Sequence, residues 1–185
     1  MGAEKGLREA VLWDGAEDRQ VQCKLCRFRC RIADGEVGHC CVRKNVGGTL
    51  YSLVYDKVCA ANPDPIEKKP LFHFQPGTRS FSIATEGCNF QCEFCQNWHI
   101  SQAAIEQGRL EGQALTAEQI VEQAVRSGCS SIAYTYTEPT IFMELAADCG
   151  RLAKVKGLTN VFVSNGYMTT EAVDFAREWL DGINV

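Results

Sequence analysis

Long apolar runs are missing from this 185-residue chain. No stretch approaches the roughly 18 apolar residues of a membrane-spanning helix. The first fifteen residues, MGAEKGLREAVLWDG, scatter charges where a secretion signal would need an apolar centre, which argues against export. A basic excess is missing too. Against 23 Asp and Glu stand 19 Lys and Arg, a formal charge of −4, so the general electrostatic reason to expect nucleic acid is absent. Proline is scarce at five residues, and four of them crowd into residues 59–78. Apolar residues make up 45%, enough for a packed core and too many for a disordered chain.

Cysteine is what the chain has in excess: eleven, at Cys23, Cys26, Cys30, Cys40, Cys41, Cys59, Cys88, Cys92, Cys95, Cys129 and Cys149. A secreted disulfide scaffold fits poorly, because the count is odd and no export signal stands in front. Seven of the eleven fall into two tight clusters. Cysteines two or three residues apart usually share a metal rather than cross-link a fold. The pattern therefore predicts a reducing, cytoplasmic setting and two metal sites.

The organisation follows. Residues 1–22 read as a lead-in with a helical stretch around Leu7 to Leu12. A basic, Gly-rich segment carries the first cysteines and leaves through a strand, TLYSLVY, with Leu50, Leu53 and Tyr55 alternating. The boundaries predicted are a Cys-rich module over 1–58, a Pro-rich linker or loop over 59–78, and an α/β unit over 79–185. In that unit strands are expected at 79–85, 131–137 and 159–165, with helices at 116–127, 140–156 and 170–180. The first helix has a capping box of Thr116 and Gln119, an inner face of Ile120, Val121, Ala124 and Val125, and Gly128 as its stop. The second turns Ile141, Leu145, Ala146, Cys149, Leu152 and Ala153 inward. Alternating strands and helices imply a parallel sheet, which tends to curl toward a barrel. Ile183, Asn184 and Val185 start a further strand. Since three units do not close a barrel, the reading expects a longer protein, with on the order of 100 more residues for six units.

Cys88, Cys92 and Cys95 give C-x3-C-x2-C in GCNFQCEFC, on the loop after the first strand of that unit. Three thiolates at this spacing can hold three irons of a 4Fe-4S cluster and leave the fourth open to a ligand. A zinc knuckle completed by His99 is the alternative. Cys23, Cys26, Cys30 and Cys40 give C-x2-C-x3-C-x9-C, a complete set for a tetrahedral zinc site or for an auxiliary iron–sulfur cluster, with His39 and Cys41 as possible replacements. Lys24, Arg27, Arg29 and Arg31 around it would offset thiolate charge. Cys59, Cys129 and Cys149 read as ordinary core thiols, His73 as a packed histidine rather than a ligand, and Lys68 and Lys69 by default as a solvated pair, with contact to the cluster or a substrate as the alternative.

C-x3-C-x-aromatic-C after a first barrel strand resembles the radical SAM superfamily. The text GCNFQCEFCQNWHIS followed by YTYTEPT, with VRKNVGG and DPIEKKPLFHFQPG upstream, resembles one of its groups: the AmmeMemoRadiSam system radical SAM enzymes, also described as homologues of the pyruvate formate-lyase activating enzyme. The resemblance runs from about residue 20 to the end. It implies the N-terminal part of a partial (βα)6, TIM-like barrel that binds S-adenosylmethionine (SAM) at the strands' C-terminal ends. It also implies an oxidoreductase-like enzyme that cleaves SAM reductively to a 5′-deoxyadenosyl radical, which takes hydrogen from an unidentified substrate. By the resemblance, Glu138 matches the end of a Gly-Gly-Glu motif that contacts the SAM amino group, with Tyr136 and Thr137 where the family has glycines. Glu138-Pro139 could instead simply start the next helix. Ser164 and Asn165 match a position facing SAM, or form a strand-end turn. Phe94 could pack on a bound adenine, and Asn97 could either reach the cofactor or lie at the surface. The family pattern selects Cys40 as the fourth ligand of the quartet, and it usually continues past Val185 with further SAM contacts. An electron donor such as flavodoxin or ferredoxin, and a Memo-like or other protein partner, are implied as well. The competing classes are a non-catalytic zinc-ribbon module and an iron–sulfur electron-transfer protein.

Overall fold

The computed structural model describes residues 7–185, so the first six residues of the expected lead-in and of the 1–58 module lie outside the described residues. The first part is antiparallel. Strands β1 (Arg8–Glu9), β2 (Trp13–Gly15), β3 (Val21–Cys23), β4 (Arg31–Ile32), β5 (Arg43–Val46) and β6 (Thr49–Ser52) form two small sheets, ordered β1-β6-β5 and β2-β3-β4. The helix expected around Leu7 to Leu12 does not form. Arg8 and Glu9 pair instead with Ser52 and Tyr51, and Leu12 sits at φ 58, outside the helical region. Leu50 is buried in β6 as expected, but the strand stops at Ser52 and leaves Leu53 and Tyr55 half-buried beyond it.

The second part contains β7 (Lys57–Pro65), β8 (Arg79–Thr85), α1 (Trp98–Ser101), α2 (Ala103–Glu106), β9 (Gln113–Ala114), α3 (Ala117–Arg126), β10 (Ser131–Tyr134), α4 (Met143–Val155), β11 (Thr159–Val163), α5 (Thr170–Ala176) and β12 (Gly182–Asn184). They build an α/β fold on a mixed six-stranded sheet ordered β12-β11-β10-β8-β7-β9. Neighbouring strands from β8 to β12 pair in parallel, while β7 runs antiparallel to β8. Helices α3, α4 and α5 lie where the periodicity places them, while the short α1 and α2 were not expected. Thr116 and Gln119 form their capping box at the start of α3. The expected strand at 131–137 ends at Tyr134, and the helix at 170–180 is regular only to Ala176. Val125, assigned to the inner face of α3, is half exposed, and Leu152 is only partly buried.

The loop expected from residue 59 is corrected by β7, a nine-residue strand holding Pro63 and Pro65. Both prolines share one parity along the strand, and β9 covers only Lys57 and Val58, so their missing N–H groups fall on an open edge. After a short 3-10 turn at Ile66–Lys68 the chain passes under the sheet. There Ile66, Leu71 and Phe74 cover Ala133 and Val161, while Ile132, Tyr134 and Phe162 point to the helices on the other face. Parallel strands need both faces covered, and this segment supplies the second cover. On the helix side Tyr134, Phe162 and Trp179 meet edge to face with centroids 5.5–5.9 Å apart. A Cβ added at Gly150 of α4 would stand 2.5 Å from the Trp179 ring, so only glycine lets that helix approach.

Candidate functional site

Strand β8 delivers the first thiol. Gly87 follows it at φ 95, with its backbone against Val42, where an added Cβ would sit 2.4 Å from a methyl group. Residues 88–97 then form a loop without regular structure. It is pinned at its base by the Gly87 N–H to the Ile100 carbonyl (2.9 Å) and across its middle by Gln102 Nε2 donating to the Phe90 carbonyl (2.8 Å). The Cys95 N–H donates to the Cys92 carbonyl at 3.1 Å, and Cys95 Sγ lies 3.5 Å from Ser101 Oγ. Cys88 is buried while Cys92 and Cys95 are half-buried. Burial pushes the Cys88 thiol up to about 11, partly offset by the Phe90 N–H at 3.4 Å from its sulfur. A thiol so placed ionises readily only beside a cation.

All three thiols line one cavity of about 600 Å³. Across it stand Asn97, Glu138, Ser164 and Asn165, so the residues singled out at three separate places in the sequence are brought together. Glu138 is buried and does two things. It accepts from the Thr140 N–H (3.1 Å) as the cap of the Pro139–Phe142 turn, and it accepts from Ser164 Oγ (2.7 Å) and the Asn165 N–H (2.8 Å), tying the end of β10 to that of β11. Its Oε2 takes only the Asn165 N–H and keeps room for another donor. Asn97 Nδ2 donates to the Tyr136 carbonyl at 3.0 Å. Phe94 is 87% exposed at the cavity edge. His99 and Trp98 are exposed, and Trp98 Nε1 bonds Glu106 rather than facing the cysteines.

Of the opposite wall, sequence reasoning reached only Lys68 and Lys69, and those as the lesser alternative to a solvated pair. Lys68 and Lys69 line the cavity, and both pair with Asp64 at 2.9 Å; Lys69 is buried, not solvated. Tyr136 and Ser82 also donate to Asp64, and Lys69 lies 4.7 Å over the Tyr136 ring. Burial pushes the Asp64 carboxyl up, but these hydrogen bonds outweigh it and hold the group well below the usual carboxylate range. Tyr136 stands at φ 67, the left-handed region that glycine favours. His73 is exposed, not packed. The spacing of Asp64 from Lys68 and Lys69 was a readable signal; the partner Tyr136, 72 residues on, was not.

The quartet gathers as well. Cys23 and Cys40 are buried, Cys26 and Cys30 half-buried. The His39 N–H points at Cys30 Sγ (3.4 Å) and Arg43 Nη1 lies 3.8 Å from Cys23 Sγ. Burial pushes Cys40 up to about 12, and the charges of Cys23 and Cys26 add to the effect. Among the described residues no three Cys, His, Asp or Glu converge tightly enough to hold a single ion as they stand. Nor does any helix among them have the length and apolarity to cross a membrane. All eleven cysteines are free thiols, with Cys129 and Cys149 buried and Cys59 half-buried.

A family model for the radical SAM superfamily matches residues 82–185, from within β8 through the cysteine loop to the last strand. The chain belongs to the radical SAM superfamily. Members of this superfamily are enzymes that use a 4Fe-4S cluster and SAM. The chain is also 46% identical over 165 residues to an uncharacterized protein of Methanocaldococcus jannaschii, covering 89% of this chain and 49% of that protein. It thus spans about half the length of the curated relative it matches.

Proposed function

We propose that the protein generates a SAM-derived radical, with Cys88, Cys92 and Cys95 holding a 4Fe-4S cluster. The observation that carries this reading is the shared cavity, in which three thiols face Asn97, Glu138, Ser164 and Asn165 across a space large enough for a nucleoside ligand. The donor set fits: three thiols on one short loop, one of them raised to about 11 by burial and so in want of a cation. A 4Fe-4S cluster held there would pass one electron from an external donor to SAM, breaking its C5′–S bond to release methionine and give a 5′-deoxyadenosyl radical able to take hydrogen from a substrate. The chain's own residues bind and orient. The free acceptor capacity of Glu138 Oε2 suits the SAM ammonium, and Asn165 and Ser164 fix that carboxylate in place. Phe94 offers an exposed ring for the adenine, and Asn97 holds the Tyr136 carbonyl at the same wall.

Around this centre the reading extends to the finer resemblance: a partial (βα)6 barrel, an enzyme of the AmmeMemoRadiSam and activating-enzyme type, and a cytoplasmic location. Flavodoxin or ferredoxin would be the electron donor and a Memo-like or other protein the substrate. The N-terminal residues form a Cys-rich metal module in which Cys23, Cys26, Cys30 and Cys40 hold zinc, or an auxiliary cluster. The burial of Cys23 and Cys40 and the effect of the neighbouring thiolate charges on Cys40 support a four-thiolate site. The test is SAM binding by the anaerobically reconstituted protein, read by EPR of the reduced cluster. Glu138→Gln is expected to keep the cluster signal and weaken SAM binding about tenfold or more, the loss of one charge-assisted hydrogen bond. Unchanged SAM affinity in that variant would remove Glu138 from the site.

A further inference from the structure

Two cations stand in the cavity wall beside a single acid. Asp64, near the end of β7, is held on the sheet face away from the helices. Its partner Ser82 alternates along β8 with Phe81 and Ile83, which pack into the helix-side core. Four donors share the two oxygens of Asp64. Lys68 takes Oδ1 at 2.9 Å, while Lys69 at 2.9 Å, Ser82 at 2.8 Å and Tyr136 all take Oδ2. The acceptor capacity of the carboxylate is thereby filled. The ammonium groups are not filled. Each carries three N–H groups and makes one side-chain hydrogen bond among the described residues, and one negative charge cannot neutralise both. A net positive charge is left on the cavity that Cys88, Cys92, Cys95 and Glu138 also line.

The two lysines differ in access. The Lys69 side chain is 1% exposed and lies over the Tyr136 ring, whereas that of Lys68 is 59% exposed. A buried ammonium needs one counter-charge, and Asp64 with Lys69 alone would meet that need. The second cation, with its free donors, has no structural partner to explain it. Tyr136 ties this wall to the cysteine loop. Its hydroxyl reaches Asp64 and its carbonyl accepts from Asn97, while its backbone is kept at φ 67. A non-glycine residue held in that region by its surroundings is a mark of binding and catalytic sites.

We propose that Lys68 and Lys69 form an anion subsite in this cavity, for a carboxylate or phosphate group on the substrate that meets the SAM-derived radical. Lys68 touches the ligand, and Lys69 is the fixed charge behind it. Assigning the anion to a substrate rests on the reading that the cavity holds SAM. The division of charge supports the assignment. Glu138, with its spare acceptor capacity, suits an ammonium, and thiolates holding metal add negative charge on that side. An anion is repelled there and attracted to the lysine wall.

The probe is inorganic phosphate, measured by equilibrium dialysis against the anaerobically reconstituted full chain at fixed ionic strength, with and without saturating SAM. Saturable binding that persists with SAM bound is expected. Lys68→Gln should weaken it about tenfold, the loss of one charge-assisted hydrogen bond, and Lys68→Arg should retain it. Lys156→Gln, at an exposed lysine just after α4, should leave it unchanged. Lys69→Gln should weaken it as well, and the exposed Lys68 keeps the test decisive if that variant does not fold. Equal phosphate affinity in the parent and Lys68→Gln, or no binding by the parent, would overturn the subsite. Phosphate that competes with SAM, together with SAM affinity lost in Lys68→Gln, would give the lysines to the carboxylate of SAM itself and overturn the substrate assignment. Phosphate held through Lys68 by a protein that does not bind SAM would uphold the anion subsite and count against the radical reading instead.

Discussion

At Asp64 one carboxylate serves Lys68, Lys69, Tyr136 and Ser82, and that concentration of donors decides its chemistry. Removing it leaves the Lys69 ammonium buried without a counter-charge, so Asp64→Ala should cost about 3–5 kcal/mol in thermal or denaturant unfolding. The pH sign follows from the depressed folded-state value. The unfolded chain binds the proton first, near its ordinary 3.8, so the stabilisation is complete above that value and is lost as pH falls below it. The native protein should therefore lose stability more steeply than Asp64→Asn below about pH 4; parallel melting curves for the two would show that the pairing carries no net stabilisation. Tyr136 illustrates what a residue reading can and cannot give. Its place where the family has glycine was visible in YTYTEPT, and the backbone keeps the glycine-like φ of 67. That Asp64 and Lys69 grip the side chain was not legible, because the partners lie some 70 residues apart.

Among the elements, the helices and parallel strands were legible because each combines a period with a stop. The capping box at Thr116, the inward Ile120, Ala124, Leu145 and Cys149, and the β-branched core of β10 and β11 all occur where the pattern puts them. The short α1, α2 and β9 were not foreseen, and two further expectations were overturned. Apolar spacing over Leu7 to Leu12 suggested a helix, but tertiary pairing with β6 overrides so short a segment. Proline density over 59–78 suggested a loop, yet prolines of one parity are tolerated on an open strand edge, and β7 uses them there. The tight seat of α4 gives an element-level test. Gly150→Ala gains up to about 1 kcal/mol of helix propensity. It also drives a methyl to 2.5 Å from Trp179, an overpacking that costs about 1–3 kcal/mol. A net loss of stability is expected; a stabilised variant would mean that the Trp179 ring can move aside.

Taken whole, the molecule is an α/β sheet whose strand ends meet an N-terminal cysteine region, and the two parts are joined by charge as well as by packing. Arg43 and Glu144 form a fully buried pair, Glu144 also accepts the Val11 N–H, and Arg8 and Tyr55 both reach Asp148 on the same helix. Burial works against the Arg43 cation, but Glu144, with Cys23, Cys40 and Cys26, holds it charged. Arg43→Met alone should cost about 3–5 kcal/mol, and Arg43→Met with Glu144→Leu should recover most of it. Equal losses in the single and double variants would show that the pair does not act as a unit. None of this joint was readable from the sequence, because its partners lie 101 positions apart and no pattern between them pairs them. The candidate site was readable at Cys88, Cys92, Cys95 and Glu138 because motif spacing survives without three-dimensional context. The measurement that bears most directly on the central claim is EPR and iron analysis of the anaerobically reconstituted protein beside Cys92→Ala, with the 5′-deoxyadenosine formed from SAM counted in both. The native chain should show a reduced 4Fe-4S signal that SAM perturbs, together with 5′-deoxyadenosine, and Cys92→Ala should lose the signal and the product. A Cys92→Ala protein that kept the full signal and product would contradict the assignment of the cluster to this loop.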